Sequence, residues 1–280
     1  MSTPGNVATG LRRPRRLAGV VISPSLIDLH FHALPRLDDG PRSLQDALDL
    51  CAAAAADGTA VVVATPHVNF EYPDVDAEVM QAAVLELRGA LEQAGIEIDL
   101  RTGAEVALVR AVELSDEELR RLTLGGGPTI LLELPWRTTG AGMAAAVARL
   151  SDRGFAILLA HPERTPMLRD DEGLVRALVE AGARCCLNAA SLTDRAGRQT
   201  RNVARSLLAA GVIHAIASDA HDTAGRRPEL RSSLDAAGFT PGEIAYFTEH
   251  GPQALLDGVN PAPPPRVGGR RRLRLPGSAR

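Results

Sequence analysis

Two histidines one residue apart, His30 and His32, follow the apolar stretches Val20-Val21-Ile22 and Leu26-Ile27 and lead into Asp38-Asp39-Gly40. The pattern reads as a short strand running out into a loop. Side chains two apart in a strand share a side, so both imidazoles can address one point, as a metal ion requires. Two unrelated histidines at a strand end would look the same, and a motif this short is decided by its context. Other apolar stretches end alike: Val61 to Pro66 in His67, Ile96 to Leu100 in Gly103-Ala104-Glu105, Ile130-Leu131-Leu132 in Glu133. Ile157 to Ala160 ends in His161, and Ile213 to Ala217 in Ser218-Asp219-Ala220-His221, while the stretch before Asn188 ends without a charged group. A buried carboxylate such as Glu133 is costly without a cation. The candidates His30, His32, Asp39, His67, Glu105, Glu133, His161, Asp219 and His221 outnumber the four to six ligands of one ion and suit a cluster with bridging carboxylates. Imidazole and carboxylate without thiolate fit Mn²⁺, Fe²⁺ or Zn²⁺. Of Asp38 and Asp39 only one need ligate; the other would orient a ligand. His214, at the start of its stretch, reads as structural, and His250 as a surface or core residue of a late helix.

The elements that would position these residues alternate. Strands are expected over 26–30, 60–65, 96–101, 130–134, 155–160, 184–188 and 213–218, rich in Val, Ile and Leu as buried parallel strands are. Helices are expected over 43–57, 74–95, 141–153, 172–182, 198–210 and 226–238. Ser43 is a fitting N-cap, Gly58 and Gly95 close their helices, and Ser115-Asp116-Glu117-Glu118 opens a short extra helix as a capping box. The fold class is α/β, with strand–helix units that suggest a parallel (β/α) barrel; an open doubly wound sheet is the alternative. In either, chemistry gathers at the carboxyl ends of the strands.

Composition narrows the chemistry. All 31 basic residues are arginine, so Schiff-base lysine chemistry and a P-loop lysine are excluded. Cys51, Cys185 and Cys186 form no disulfide framework and suit a reducing cytoplasm. None has an arginine six positions on, which excludes the cysteine-nucleophile type of phosphatase. A net charge of −3 and 3% aromatics speak against nucleic acid. No stretch approaches a membrane span, and the basic run Arg12 to Arg16 is followed by too brief an apolar segment for a signal peptide. Residues 1–18 and 261–280, rich in Pro, Gly and Arg, read as disordered tails around one unit over 19–260.

Taken in order, His30-Phe31-His32, Ala64-Thr65-Pro66-His67, Gly103-Ala104-Glu105, His161-Pro162-Glu163-Arg164 and Ser218-Asp219-Ala220-His221 resemble the polymerase-and-histidinol-phosphatase (PHP) family. Asp38-Asp39-Gly40-Pro41 and the His-Pro-Glu-Arg stretch are most similar to its bacterial capsule-operon, manganese-dependent protein-tyrosine phosphatases. The resemblance spans roughly residues 26–258. It implies a distorted seven-stranded (β/α) barrel of the PHP type holding three ions, usually manganese. His30, His32, Glu105 and Asp219 would hold the first; Glu105, Glu133 and His161 the second; Asp39, His67 and His221 the third. Arg164 and Arg226 would contact phosphate. The implied reaction is phosphate monoester hydrolysis on a phosphotyrosine protein, such as a tyrosine kinase tail of the polysaccharide export system, in the cytoplasm, with oligomeric state open.

Rival readings are a histidinol-phosphatase-like small-molecule phosphatase, a phosphodiesterase or exonuclease, and a binding module that kept the fold without turnover. The complete ligand set opposes the last. A phenolate leaving group, with a pKa near about 10, needs less help from a general acid than an alkoxide does. The sequence offers no uniquely placed acid, which agrees with an aryl ester.

Overall fold

A computed structural model describes residues 25–136 and 140–267. The tail expected over 1–18 and the arginine-rich stretch from Gly268 onward lie outside the described residues. Nine strands are found among the described residues: β1 (Leu26–Phe31), β2 (Thr59–Ala64), β3 (His67–Val68), β4 (Asp99–Thr102), β5 (Glu105–Ala107), β6 (Thr129–Glu133), β7 (Ala156–Ala160), β8 (Arg184–Asn188) and β9 (Ile213–Ala217). They form two parallel sheets, in the order β1-β2-β4 and β3-β5-β6-β7-β8-β9.

Two of the seven expected strands are therefore broken in two. Pro66 has no N–H to give to a ladder and separates β2 from β3. Gly103 separates β4 from β5, where a Cβ would lie 2.7 Å from Val63 Cγ1 and 2.9 Å from Leu124 Cδ2. The third strand also starts later than expected, at Asp99 instead of residue 96. The sheets meet again at the other edge: Asp219 N donates to His30 O at 2.9 Å and His32 N to Ala220 O at 2.9 Å.

The helices follow the expected caps. Leu44–Ala56 starts at Ser43, whose side chain accepts from Asp46 N, and Ala77–Ala94 ends at Gly95 in the left-handed region, φ 67°. Asp116–Arg120 carries the reciprocal Ser115–Glu118 capping box. Over 226–238 only Leu230–Ala236 is helical, because residues 221–226 form a loop closed by His221 N donating to Arg226 O at 2.8 Å. One cluster of buried side chains lies between strands and helices and includes Phe31, Leu50, Leu87, Leu132 and Phe247. A second joins strand residues of both sheets, among them Ile27, Leu29, Val63, Leu131, Leu158 and Ala215, and is plugged by Leu255 and Leu256. Packing continues beyond residue 260, where the sequence suggested a tail: Tyr246 Oη donates to Ala262 O, and Val267 packs on the first cluster. A proline-rich, lysine-free stretch can lie on a surface without needing a ladder of its own.

Candidate metal centre

The nine candidate ligands, spread from residue 30 to residue 221, come together where the strands end. The pairing register of β1 with β2 shifts between Asp28 and Phe31. Leu29 thus joins the cluster between the sheets and Phe31 the outer one, and His30 and His32 turn into the mouth. Such irregularities re-aim side chains beside sites. His30 Nε2 lies 3.0 Å from Glu105 Oε2, 3.2 Å from His32 Nε2 and 3.4 Å from Asp219 Oδ1. His161 Nε2 is 3.0 Å from Glu105 Oε1, and His67 Nδ1 is 3.1 Å from Glu105 Oε2 and 3.8 Å from Glu133 Oε2. Asp39 Oδ1 lies 3.0 Å from His221 Nε2 and 3.6 Å from His67 Nε2.

These atoms fall into four overlapping groups: His30, His32 and Asp219; His30, Glu105 and His161; His67, Glu105 and Glu133; and His32, Asp39, His67 and His221. The partition differs from the expected one in two places. Glu133 groups with His67 instead of His161, and His32 also closes on the Asp39 set. Adjacent ligands at about 2.0–2.2 Å from one ion are about 2.8–3.6 Å from each other in octahedral or tetrahedral shells, close to the spacing seen here. Moreover, the buried His67 Nδ1, Glu105 Oε1 and His221 Nε2 have no aligned hydrogen bond despite their close neighbours. Atoms that converge without hydrogen-bond geometry fit a shared cation better than each other, so the donor set suits divalent ions of the Mn²⁺, Fe²⁺, Zn²⁺ type.

Backbone and supporting groups fix this arrangement. His161 and Asp219 sit at positive φ, 29° and 54°, where His and Asp are tolerated better than most residues and where strain marks functional positions. Asp38 Oδ2 faces His32 Nδ1 at 2.6 Å and accepts from His67 N at 3.0 Å, so Asp38 orients while Asp39 reaches the cluster. Gly40 makes that loop possible, since a Cβ there would lie 2.8 Å from His32 O. Asn188 Nδ2 donates to Asp219 Oδ2 at 2.9 Å.

Three further residues had no role assigned from the sequence. Asp28, buried in β1, accepts from Ser218 N at 3.1 Å and from His30 N at 3.2 Å. Glu163, fully buried, accepts from Asn188 N at 3.0 Å. An acid inside Leu26-Ile27-Asp28-Leu29 was a visible signal. Tyr72, which stacks on His67 with ring centroids 5.8 Å apart, left none.

The electrostatics reflect crowding. Burial raises the Asp219 carboxyl, but His30, Arg226, His161 and His221 outweigh it and hold the group below the usual carboxylate range. Burial lowers the His32 imidazole, yet Asp38 and Glu105 push it up to about 10. Burial raises Asp28 to about 7, against the opposing hydrogen bonds from Ser218. His221 goes the other way, to about 4, through burial and the charge of His32.

Both candidate phosphate arginines stand at the rim. Arg164 Nη1 reaches Asp219 Oδ2 at 2.5 Å, not Glu163, its neighbour in sequence. Arg226 binds Asp39 Oδ2 at 2.9 Å and Asp219 Oδ1 at 2.8 Å. Its loop is built on Asp222, whose carboxylate accepts from the backbone N–H of Ala224, Gly225 and Arg226. The arginines face a cavity of about 410 Å³ also lined by Trp136, Asn188, Ser191, Arg195, Arg227 and Glu229. His214 is remote, with Nδ1 on Val212 O at 3.0 Å, and His250 is exposed.

Residues 26–243 match the family described as capsular polysaccharide synthesis, CpsB/CapC. The chain belongs to the CpsB/CapC family. Among curated members of this kind, the tyrosine-protein phosphatase YwqE of Bacillus subtilis is 30% identical over 233 residues, 82% of this chain and 91% of that protein. The tyrosine-protein phosphatase CpsB of Streptococcus pneumoniae is 25% identical over 220 residues, 75% of this chain and 88% of that protein. A crystal structure from work on YwqE and CpsB, described as unique metal-dependent tyrosine phosphatases, superposes with a TM-score of 0.75 at 27% identity, covering 86% of this chain and 99% of the other. An amidohydrolase from Mycoplasma synoviae, at 12% identity and a TM-score of 0.53 over 84% of this chain and 88% of that one, shares the fold alone.

Proposed function

We propose that this CpsB/CapC chain is a metal-dependent protein-tyrosine phosphatase. The observation that carries the reading is the overlap of four ligand groups beside two arginines that open on one cavity. In this reading the four overlapping groups would hold two or three ions, with His30, His32, His67 and Glu105 each shared between groups. Manganese suits the mixed imidazole and carboxylate set. Ions bound there acidify water and draw charge from phosphoryl oxygens.

The chain's own groups do the rest. Arg164 and Arg226 present guanidinium forks that match phosphate geometry. The cavity's carboxylates, Asp219 and Glu229, each face an arginine, so neither is free to donate a proton to a leaving group. That favours a leaving group able to depart as an anion, and a phenolate, with a pKa near about 10, is far better than an alkoxide. Hydrolysis gives a tyrosine side chain and inorganic phosphate. The polypeptide substrate we assign is a tyrosine kinase of the polysaccharide export system, consistent with the family, and the cytoplasm with its three free cysteines. Among the described residues no helix is long and apolar enough to cross a membrane. We also read the two sheets as one distorted seven-position barrel; the β2–β3 and β4–β5 continuities and the β1–Ala220 bridge support it.

The test compares a phosphotyrosine peptide, histidinol phosphate and a phosphodiester with added Mn²⁺. The peptide should be preferred. Arg164→Ala should lower its turnover about a hundredfold, the cost of losing one oriented donor, with metal content unchanged. Preference for the diester, or an unimpaired Arg164→Ala variant, would overturn the assignment.

A further inference from the structure

The chain has 1 tryptophan, Trp136, and it stands in the cavity wall next to Arg164, Asp219 and Arg226. Its side chain is 44% exposed, an unfavourable place for the largest apolar ring unless something covers it. It is not loose. Its Nε1 donates to Glu133 Oε1 at 2.9 Å, leaving Glu133 Oε2 to face His67. The Arg164 guanidinium carbon lies 5.9 Å from the indole centroid, in cation–π range, and the His161 ring is 6.2 Å away. The ring is therefore fixed by one hydrogen bond and one charged neighbour, both to residues of the site. Of the described residues lining the cavity it is the one aromatic; the others include Ser191, Arg195, Thr200 and Arg227.

We infer that Trp136 is a specificity-determining residue: its exposed indole face stacks on the aromatic ring of the ester and selects aryl over alkyl phosphates. This rests on the phosphotyrosine reading above. Geometry gives the reason. Arg164 lies in cation–π range of the indole and pairs with Asp219 Oδ2, so a phosphate held by Arg164 sits beside the indole. An aryl group attached through one oxygen can then reach the centroid range of aromatic pairs, about 4.5–7 Å, whose offset or edge contact adds to the area buried. An alkyl group in the same place gains only part of this. The polar remainder of the cavity leaves room for the peptide backbone that a phosphotyrosine brings.

Metal-loaded full-length wild type, Trp136→Ala and Trp136→Phe are compared. Inhibition by phenylphosphonate and by methylphosphonate reads the ring's contribution without requiring turnover of an alkyl ester, KM and kcat for a phosphotyrosine peptide read it in the reaction, and elemental analysis reads the cluster. Trp136→Ala should weaken phenylphosphonate about tenfold and methylphosphonate less than twofold, raising KM for the peptide more than it lowers kcat. Trp136→Phe, which lacks the N–H but keeps a ring, should recover phenylphosphonate to within about threefold. Equal weakening of both phosphonates, a Phe variant as poor as the Ala variant, or loss of metal from both would make the residue a support for Glu133 and overturn the inference, as would no change at all. A wild type that binds phenylphosphonate in preference yet hydrolyses no phosphotyrosine peptide would sink the proposed function and leave the aryl preference standing.

Discussion

His214 and His32 show how far one residue type can be driven in opposite directions within one protein. Burial, with Arg184 nearby, lowers His214 to about 4, whereas Asp38 raises His32 to about 10 despite deeper burial. His214 lies outside the cluster, so its linkage can be isolated. Its folded pKa is below the ordinary value of 6.5, so the unfolded chain binds the extra proton. The stability it contributes is complete above about pH 6.5 and is lost as pH falls toward about 4. Between pH 7 and pH 5 this is on the order of 2 kcal/mol. A His214→Gln variant should thus lose less stability than wild type over that interval in urea titrations. Parallel losses would show that His214 is not the group responsible. The acids beneath the site were harder to read. Asp28 stands out as a charge within an apolar strand, but Glu163, beside Arg164 in sequence, has no such mark. Only its burial against Asn188 N reveals it.

Strands and helices were legible where hydrophobic runs and caps coincided, as at Ser43, Ser115 and Gly95. The breaks at Pro66 and Gly103 were not, because an apolar run does not reveal which residue leaves the ladder. The widened helical turn Tyr246–His250 is a similar case. Pro252 cannot donate to the carbonyl one turn back, and Gly251 lies against the chain at His214, where a Cβ would be 2.0 Å from His214 O. That close approach anchors the start of β9, the strand whose other end carries Asp219 and His221. Gly251→Ala should cost on the order of 2–4 kcal/mol, as overpacking against rigid backbone does. It should also lower metal content more than a surface Gly89→Ala control, which has nothing within 4 Å of its Cβ. An unchanged urea midpoint would show that the contact relaxes freely.

At the scale of the molecule, the clustered imidazoles and carboxylates are a store of unfavourable desolvation that bound ions relieve. Ligands that bind only the folded state stabilise it by mass action, about 2.7 kcal/mol at a hundredfold excess over Kd. For a chain of this size that corresponds to a rise in Tm of about 5–10 °C. Manganese at millimolar concentration should raise the melting temperature by this amount and a chelator should reverse it. Melting indifferent to both would remove the cluster. The ligand positions themselves could be picked out because they recur at the ends of apolar stretches. Their division among ions could not, because it depends on which neighbours the side chains of His32 and Glu133 turn toward.

The hydrogen bonds that join β1 to the segment after β9 carry one more consequence. Ser218 N reaches Asp28 across 190 residues of chain, and Asp219 N and His32 N knit the same seam. During synthesis, His30 and His32 leave the ribosome long before Asp219 and His221 exist to meet them. For most of translation the early histidines lack their later partners, so the constellation can be completed only after the last strand has been made. A chain interrupted between His161 and Ser218 would carry seven of the nine candidate ligands and lack Asp219 and His221, which close the mouth.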